Sequence, residues 1–201
     1  MSTDVSRSAA RDDIAASKPG PFEPPLSVTR PELLERGSDT NFRKIIWDLL
    51  VVANRLQKYP EAFGHHIGIT GAQYAVLIAT AHIQGGCGSG IRRLADHLHL
   101  PAPHVTTTVG ALVQSGFLAK RPNPEDGRGV LVSLTEKGQI ALERLAPFQQ
   151  QVNDVLFSDL SRAEFAEFAR FIDTFVGNTK RALDTVAALN ETDGSPRQAA
   201  E

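Results

Sequence analysis

IRRLADHLHLPAPHVTTTVGALVQSGFLAKRPNPEDGRGVLVSLT, residues 91–135, is the stretch whose reading decides the architecture. Two short amphipathic segments, 91–98 and 103–113, are joined by the tight link His99-Leu100-Pro101. Leu94, Leu98, Leu100, Val105, Val109, Leu112 and Val113 recur at helical spacing, which predicts that the two helices bury these residues against each other. Residues 117–121 then read as a strand, 122–129 as turn chemistry and 130–134 as a second alternating strand. The fold class predicted is therefore mainly α: a winged helix-turn-helix with a small β-hairpin wing. Helix, turn, helix and wing in that order suit entry into a DNA groove.

Once the apolar positions are assigned to the core, His104, Thr106, Thr107, Thr108 and Gly110 remain on the second helix. Hydroxyls and an imidazole can bond phosphates or base edges, and a Thr methyl can touch a thymine methyl. A bland alternative is a solvated helix face. In the wing, Pro124 presets φ and Gly127 tolerates φ > 0, as a turn requires. Asp126 and Arg128 lie two apart at its tip, where a carboxylate can orient a guanidinium toward a narrow minor groove. The alternative there is an exposed local ion pair, worth under ~1 kcal/mol. Arg92, Lys120 and Arg121 are candidates for phosphate contacts.

These elements in combination resemble the MarR family of winged-helix transcriptional regulators. The resemblance is carried by Leu94-Ala95-x-x-Leu98, Val105-Thr106-x-x-Val109, Gly116-Phe117-Leu118-x-x-Arg121, Asp126-x-Arg128 and Leu134-Thr135-x-x-Gly138, in order and at the family's spacing. It extends more weakly over about residues 39–187. It implies a homodimer on a double-stranded, pseudo-palindromic operator, acting as a repressor that a small ligand releases. It also makes His104, Thr106 and Thr107 groove-contacting residues, and Asp126 and Arg128 the wing pair. Two positions depart from the family pattern. Pro101 stands where a capping Ser or Thr is usual, and Gly127 where a second Arg is usual. Proline can start a helix but supplies no capping hydroxyl.

The remainder of the chain is consistent with such a dimer. Its 201 residues leave room for one ordinary domain and tails. No apolar run approaches the ~20 residues of a membrane span, and no hydrophobic secretion segment is visible, so a cytoplasmic protein without a membrane partner is expected. One cysteine, Cys87, rules out an intramolecular disulfide framework. The overall formal charge of −2 does not advertise nucleic-acid binding, yet residues 92–128 carry five Lys or Arg against three acids, a local +2.

Residues 1–38 read as a mostly disordered extension because Lys18-Pro-Gly-Pro-Phe-Glu-Pro-Pro25 cannot hold a regular helix; Phe22, Leu26, Leu33 and Leu34 offer anchors for an arm on a partner subunit. Residues 39–189 are the regulator domain, its winged unit at about 70–135 and dimerisation helices at about 39–59 and 136–189; residues 190–201 are a flexible tail. Thr70-Gly-Ala-Gln73 and Ser161-Arg-Ala-Glu164 are capping boxes, with Ile69–Tyr74 and Leu160–Phe165 as their staples. The glycine-rich run 85–90 stops the helix that Thr70 opens, and Pro147 is expected to kink the helix that starts at Thr135. Four of the ten phenylalanines, Phe165, Phe168, Phe171 and Phe175, fall on the last helix and suit pairing with a second subunit.

For sensing, the resemblance places a cavity between the dimerisation helices and the winged unit. Trp47, His65, His66 and Tyr74 are the candidate ligand residues, with a small aromatic acid or phenol as effector. Core packing is the plain alternative for Trp47 and Tyr74, and solvent exposure in a Gly-flanked loop for His65 and His66. No cofactor is expected. Zinc is disfavoured because His65 and His66 are adjacent, while His97 and His99 lie in the reading head. A redox role for Cys87 lacks an adjacent base and a resolving cysteine. No phosphate loop, H-E-x-x-H or G-x-S-x-G occurs, so an enzyme has no constellation to stand on. The remaining alternative is a helical dimerisation or adaptor protein that does not bind DNA.

Overall fold

A computed structural model describes residues 22–124 and 126–192, without the side chains of residues 126–128. The chain divides into two units at Lys58/Tyr59.

The first unit holds helix α1, Thr40–Leu56, preceded by a single 3-10 turn at Pro31–Leu33. No residue of α1 is buried, and Trp47 is 67% exposed. Ahead of it, the chain folds back onto the Asp39 carboxylate, which accepts from Ser27 N at 2.7 Å, Ser27 Oγ at 2.6 Å and Arg43 Nε at 2.9 Å. Arg43 also donates to the Pro25 carbonyl. The Arg43 guanidinium, followed by the two Ser27 donors, holds the Asp39 carboxyl well below the usual aspartate range. Pro25 and Ser27 are thus tied to the start of α1. Residues 1–21 of the expected tail lie outside the described residues, as do residues 193–201.

The second unit begins with a helix the sequence did not reveal. Residues Tyr59–His66 form α2, so His65 and His66 end a helix and do not sit in a loop. Gly64 is buried there, and a Cβ on it would meet the carbonyl oxygens of Ile69 and Thr70 at 2.7 Å, so no side chain fits. Helix α3, Gly71–Ile83, follows with the Thr70–Gln73 capping box formed on both sides. It stops at Gln84, and Gly85 and Gly88 take positive φ in the following turn.

The helix-turn-helix is α4, Ile91–Leu98, and α5, Ala102–Gln114. Their turn is set by His99, which adopts left-handed φ 52°, ψ 39° and lets Leu100 N reach back to Ala95 O at 3.0 Å. A non-glycine residue costs about 1 kcal/mol or more in that region, so packing on both sides must impose it. That packing is a core of Leu77, Leu94, Val105, Val109, Leu112 and Val132, each fully buried. Burying each such side chain contributes about 1.5–3 kcal/mol. Leu100 departs from expectation: it is 38% exposed, because the left-handed turn carries it out past the core.

The wing is larger than a hairpin. Strands β1 (Ser89–Gly90), β2 (Leu118–Asn123) and β3 (Asp126–Leu134) form an antiparallel sheet in the order β1-β3-β2. The turn expected over 122–129 shrinks to its tip, since Asn123 already pairs with Asp126. Helix α6, Glu136–Leu156, is capped by Thr135 and continues through Pro147; helix α7, Arg162–Thr192, runs for 31 residues. The Ser161–Glu164 capping box closes through Ser161 N to Glu164 Oε2 at 2.9 Å and Glu164 N to Ser161 Oγ at 3.3 Å. No residue of α7 is buried, and Phe171 is 59% exposed.

Candidate nucleic-acid interface

Helix α5 turns Val105, Val109 and Leu112 inward, which leaves His104, Thr106 and Thr107 exposed on the opposite side. Both Thr hydroxyls donate to their own helix, Thr106 Oγ1 to Ala102 O at 2.8 Å and Thr107 Oγ1 to Pro103 O at 3.1 Å. Their protons are spent, so what they present outward is an acceptor lone pair and a methyl group. Thr108 corrects the sequence reading. It lies four residues before Leu112 on the buried stripe, is 8% exposed, and donates to His104 O at 3.0 Å. It belongs to the packed side and is withdrawn from the groove-facing set.

The N-terminus of α5 has no side-chain cap, and Pro101 and Pro103 remove two amide donors from it. Anion capture by that helix end is correspondingly weak. Arg92 in the first turn of α4 and Lys120 on β2 are exposed. Arg121 is exposed too, but its Nη2 donates to Cys87 O at 2.6 Å and ties the wing to the glycine-rich turn. Part of its guanidinium is thereby committed to holding the wing, a role not visible in the sequence. The backbone of Asp126 and Arg128 lies in β3; their side chains, and so the expected wing pair, lie outside the described residues. Cys87 is a free, exposed thiol.

A cavity of about 660 Å³ opens beside the winged unit, lined by His66, Ile67, Phe117, Glu136, Lys137, Ile140, Ala141 and Arg144. Of the four ligand candidates proposed from sequence, only His66 lines it. Its ring stacks on Phe148 with centroids 4.5 Å apart and planes 4° from parallel. His65 is exposed at the end of α2. Tyr74 is a core residue: it packs edge-on against Phe63 at 5.5 Å and accepts a hydrogen bond from Gln149 Nε2 at 2.7 Å. Its burial raises the phenol above its ordinary value. Trp47 stands exposed in the first unit. The sequence reading missed Lys137 and Arg144, because α6 reads as an amphipathic dimerisation helix. Lys137, Ile140, Ala141 and Arg144 follow at i, i+3, i+4 and i+7, one side of a helix, and only the packing shows that this side borders a cavity. Among the described residues, no three His, Cys, Asp or Glu side chains are grouped as metal ligands, and no helix is long and apolar enough to cross a membrane.

An exposed polar helix face backed by a helix-turn-helix core and flanked by a three-stranded wing defines a winged-helix DNA-binding regulator. The comparisons narrow that class. A MarR-family model matches residues 67–129. YwhA of Bacillus subtilis, an HTH-type transcriptional regulator, is 30% identical over 96 residues, 48% of this chain and 68% of its own. The transcriptional activatory protein BadR of Rhodopseudomonas palustris is 26% identical over 145 residues, 72% of this chain and 83% of its own. Among solved structures, a mutant MarR from E. coli complexed with operator DNA superposes with TM-score 0.53 at 26% identity, over 69% of this chain and 99% of its own. PcaV of Streptomyces coelicolor, in complex with its natural ligand, gives TM-score 0.51 at 28% identity, over 63% and 89%. The chain belongs to the MarR family and is a transcriptional regulator, not an enzyme. The adaptor alternative thereby loses its ground.

Proposed function

We propose that this protein is a ligand-responsive repressor that binds a pseudo-palindromic operator as a homodimer. The observation that carries the DNA-reading part is the outward set His104, Thr106 and Thr107, backed by a recognition helix whose other side is fully packed. In this reading α5 lies in the major groove. Arg92 and Lys120 contact phosphates, Arg121 supports the wing and adds to the phosphate field, and Arg128, steadied by Asp126, reaches the flanking minor groove. The winged unit spans about residues 70–135.

Dimerisation is supported by α7, which buries none of its residues while carrying Phe165, Phe168, Phe171 and Phe175. So much exposed aromatic surface on one helix is a normal mark of an interface. Pairing the helices at about 39–59 and 136–189 with those of a second copy would cover it. The two reading heads would then meet half-sites about one helical turn, ~34–36 Å, apart.

The cavity at the start of α6 suits a small aromatic acid. It offers Ile67, Phe117, Ile140 and Ala141 for an apolar ring and Lys137 and Arg144 for a carboxylate. PcaV, solved with its natural ligand, supports sensing as a property of related chains.

Fluorescence anisotropy with DNA from upstream of the protein's own gene tests the reading, run beside a scrambled duplex and a salt series. Tight, salt-sensitive preference for the native DNA, weakened by an aromatic acid, is the expected result. Equal weak binding to both duplexes would remove the operator assignment. Transcript levels that fall when the gene is deleted would overturn repression in favour of activation.

A further inference from the structure

The effector cavity and the recognition helix meet at residues 115–117, where α5 ends and β2 begins. Three successive carbonyls of that turn are held by the start of α6. Ser115 O accepts from Lys137 Nζ at 2.7 Å, Gly116 O from Thr135 Oγ1 at 2.6 Å, and Phe117 O from Thr135 N at 3.1 Å. Gly138 closes the joint: it is buried where a Cβ would lie 2.3 Å from Phe117 O. The last turn of the recognition helix is therefore fastened to the first turn of α6.

Only the Lys137 fastening is open to a ligand. Its ammonium stands 4.5 Å from the centroid of the Phe117 ring, and both groups line the cavity. Its present partners, a neutral carbonyl and a ring face, are weaker partners for an ammonium than a carboxylate is. Arg144, two helical turns along the same wall, supplies a second cation. Glu136 stands on that wall as well, so Lys137, Arg144 and Glu136 together give a formal charge of +1, two cations less one acid. Such a wall favours a monoanion with an apolar body over a dianion.

We propose that Lys137 is the positioning residue that couples the cavity to the recognition helix. A monocarboxylate held between Lys137 and Arg144 draws the ammonium off Ser115 O and frees the C-terminal turn of α5. This deepens the effector assignment made above and rests on it.

The test uses the full-length protein, its operator duplex and benzoate as probe, with Lys137→Met, Lys137→Gln and Lys137→Arg. Without ligand, Lys137→Met and Lys137→Gln are expected to weaken operator binding about five- to tenfold. The log-salt slope should stay unchanged, amide exchange over residues 112–117 should rise, and Lys137→Arg should restore wild-type behaviour. Operator affinity equal to wild type in both neutral variants overturns the proposal. So does a slope reduced by about one, which would mark Lys137 as a phosphate contact. These arms need no ligand and decide the coupling role even if no acid binds. With benzoate, wild type should lose operator affinity while Lys137→Met at saturation loses no more. An equal further loss in both overturns the coupling and leaves the effector site standing. Aromatic acids that change neither melting temperature nor operator affinity of wild type remove the effector site itself.

Discussion

Gly138→Ala tests how closely α6 is pressed onto the end of the recognition helix. The added Cβ would sit 2.3 Å from Phe117 O and 3.3 Å from Leu134 Cδ2, and the first neighbour is backbone, which cannot swing aside. Relief requires α6 and the 116–117 turn to part. That movement strains the bond from Thr135 N to Phe117 O at 3.1 Å, the bond from Thr135 Oγ1 to Gly116 O at 2.6 Å, and the cap from Gly138 N to Thr135 Oγ1 at 3.1 Å. Each neutral bond is worth about 1 kcal/mol and the cap about 1 kcal/mol more. Against this, Ala gains about 1 kcal/mol over Gly in helix propensity. The net expectation is a loss of about 2 kcal/mol, which in a chain of this size lowers Tm by about 4–8 °C. Circular dichroism melts and urea titrations measure it, with Gly110→Ala as control. Gly110 lies in α5, away from the proposed dimer surface, and an added Cβ there would meet nothing within 4 Å, so Ala at that position should stabilise slightly. If Gly138→Ala also melts at or above wild type, the close approach has been misread and propensity alone governs the site.

The outward Thr pair is tested by Thr106→Val and Thr107→Val, which should shift sequence preference by ~1–3 kcal/mol per lost base contact, while the buried Thr108→Val leaves DNA binding unchanged. Anisotropy on operator variants reads this, and equal losses on specific and random DNA would defeat the base-reading role. Arg128→Ala should weaken operator binding, most where the flanking minor groove is narrow; insensitivity to flanking sequence would argue against wing insertion. The depressed Asp39 carboxyl gives a signed pH effect. Its stabilising hold on Ser27 and Arg43 is complete above the ordinary aspartate value of about 3.9 and is lost progressively as pH falls from there through the depressed folded-state value. Proteolysis or amide exchange over residues 25–38 should therefore increase on acidification, and Asp39→Asn should remove that dependence. Phe171→Asp together with Phe175→Asp should shift sedimentation toward monomer; an unchanged species would place the dimer surface elsewhere.

What the sequence made legible is what local physics controls. The cap at Thr70, the box at Ser161, the glycine stop after Gln84 and the bounds of α4 and α5 within a residue or so all follow from neighbours along the chain. Short or unpatterned elements were not legible. Helix α2 holds Pro60 and Gly64, two poor helix formers, in eight residues; Pro60 lies in its first turn, and Gly64 is needed by its packing. Strand β1 is two residues long and exists because Val132 and Leu131 pair with it. Thr108 looked equivalent to Thr106 and Thr107 in a run of three, and only its place relative to Leu112 sends it inward. The cavity was least legible, since Lys137 meets Ser115 across 22 residues of chain and His66 joins the same lining from far upstream.

Pairing on both edges of β3 constrains how the wing can evolve. Ser89 pairs with Val132, a fully buried residue, while Lys120 pairs with that same Val132 from the other edge. A slip of one residue in β3 would turn Val132 to solvent, so the base of the wing is locked in a single register. Residues added symmetrically at the tip would extend the ribbon by about 3.3 Å per pair without disturbing the base. In the proposed complex, the reach of the wing along DNA would then be a length that insertion and deletion tune separately from base reading by α5.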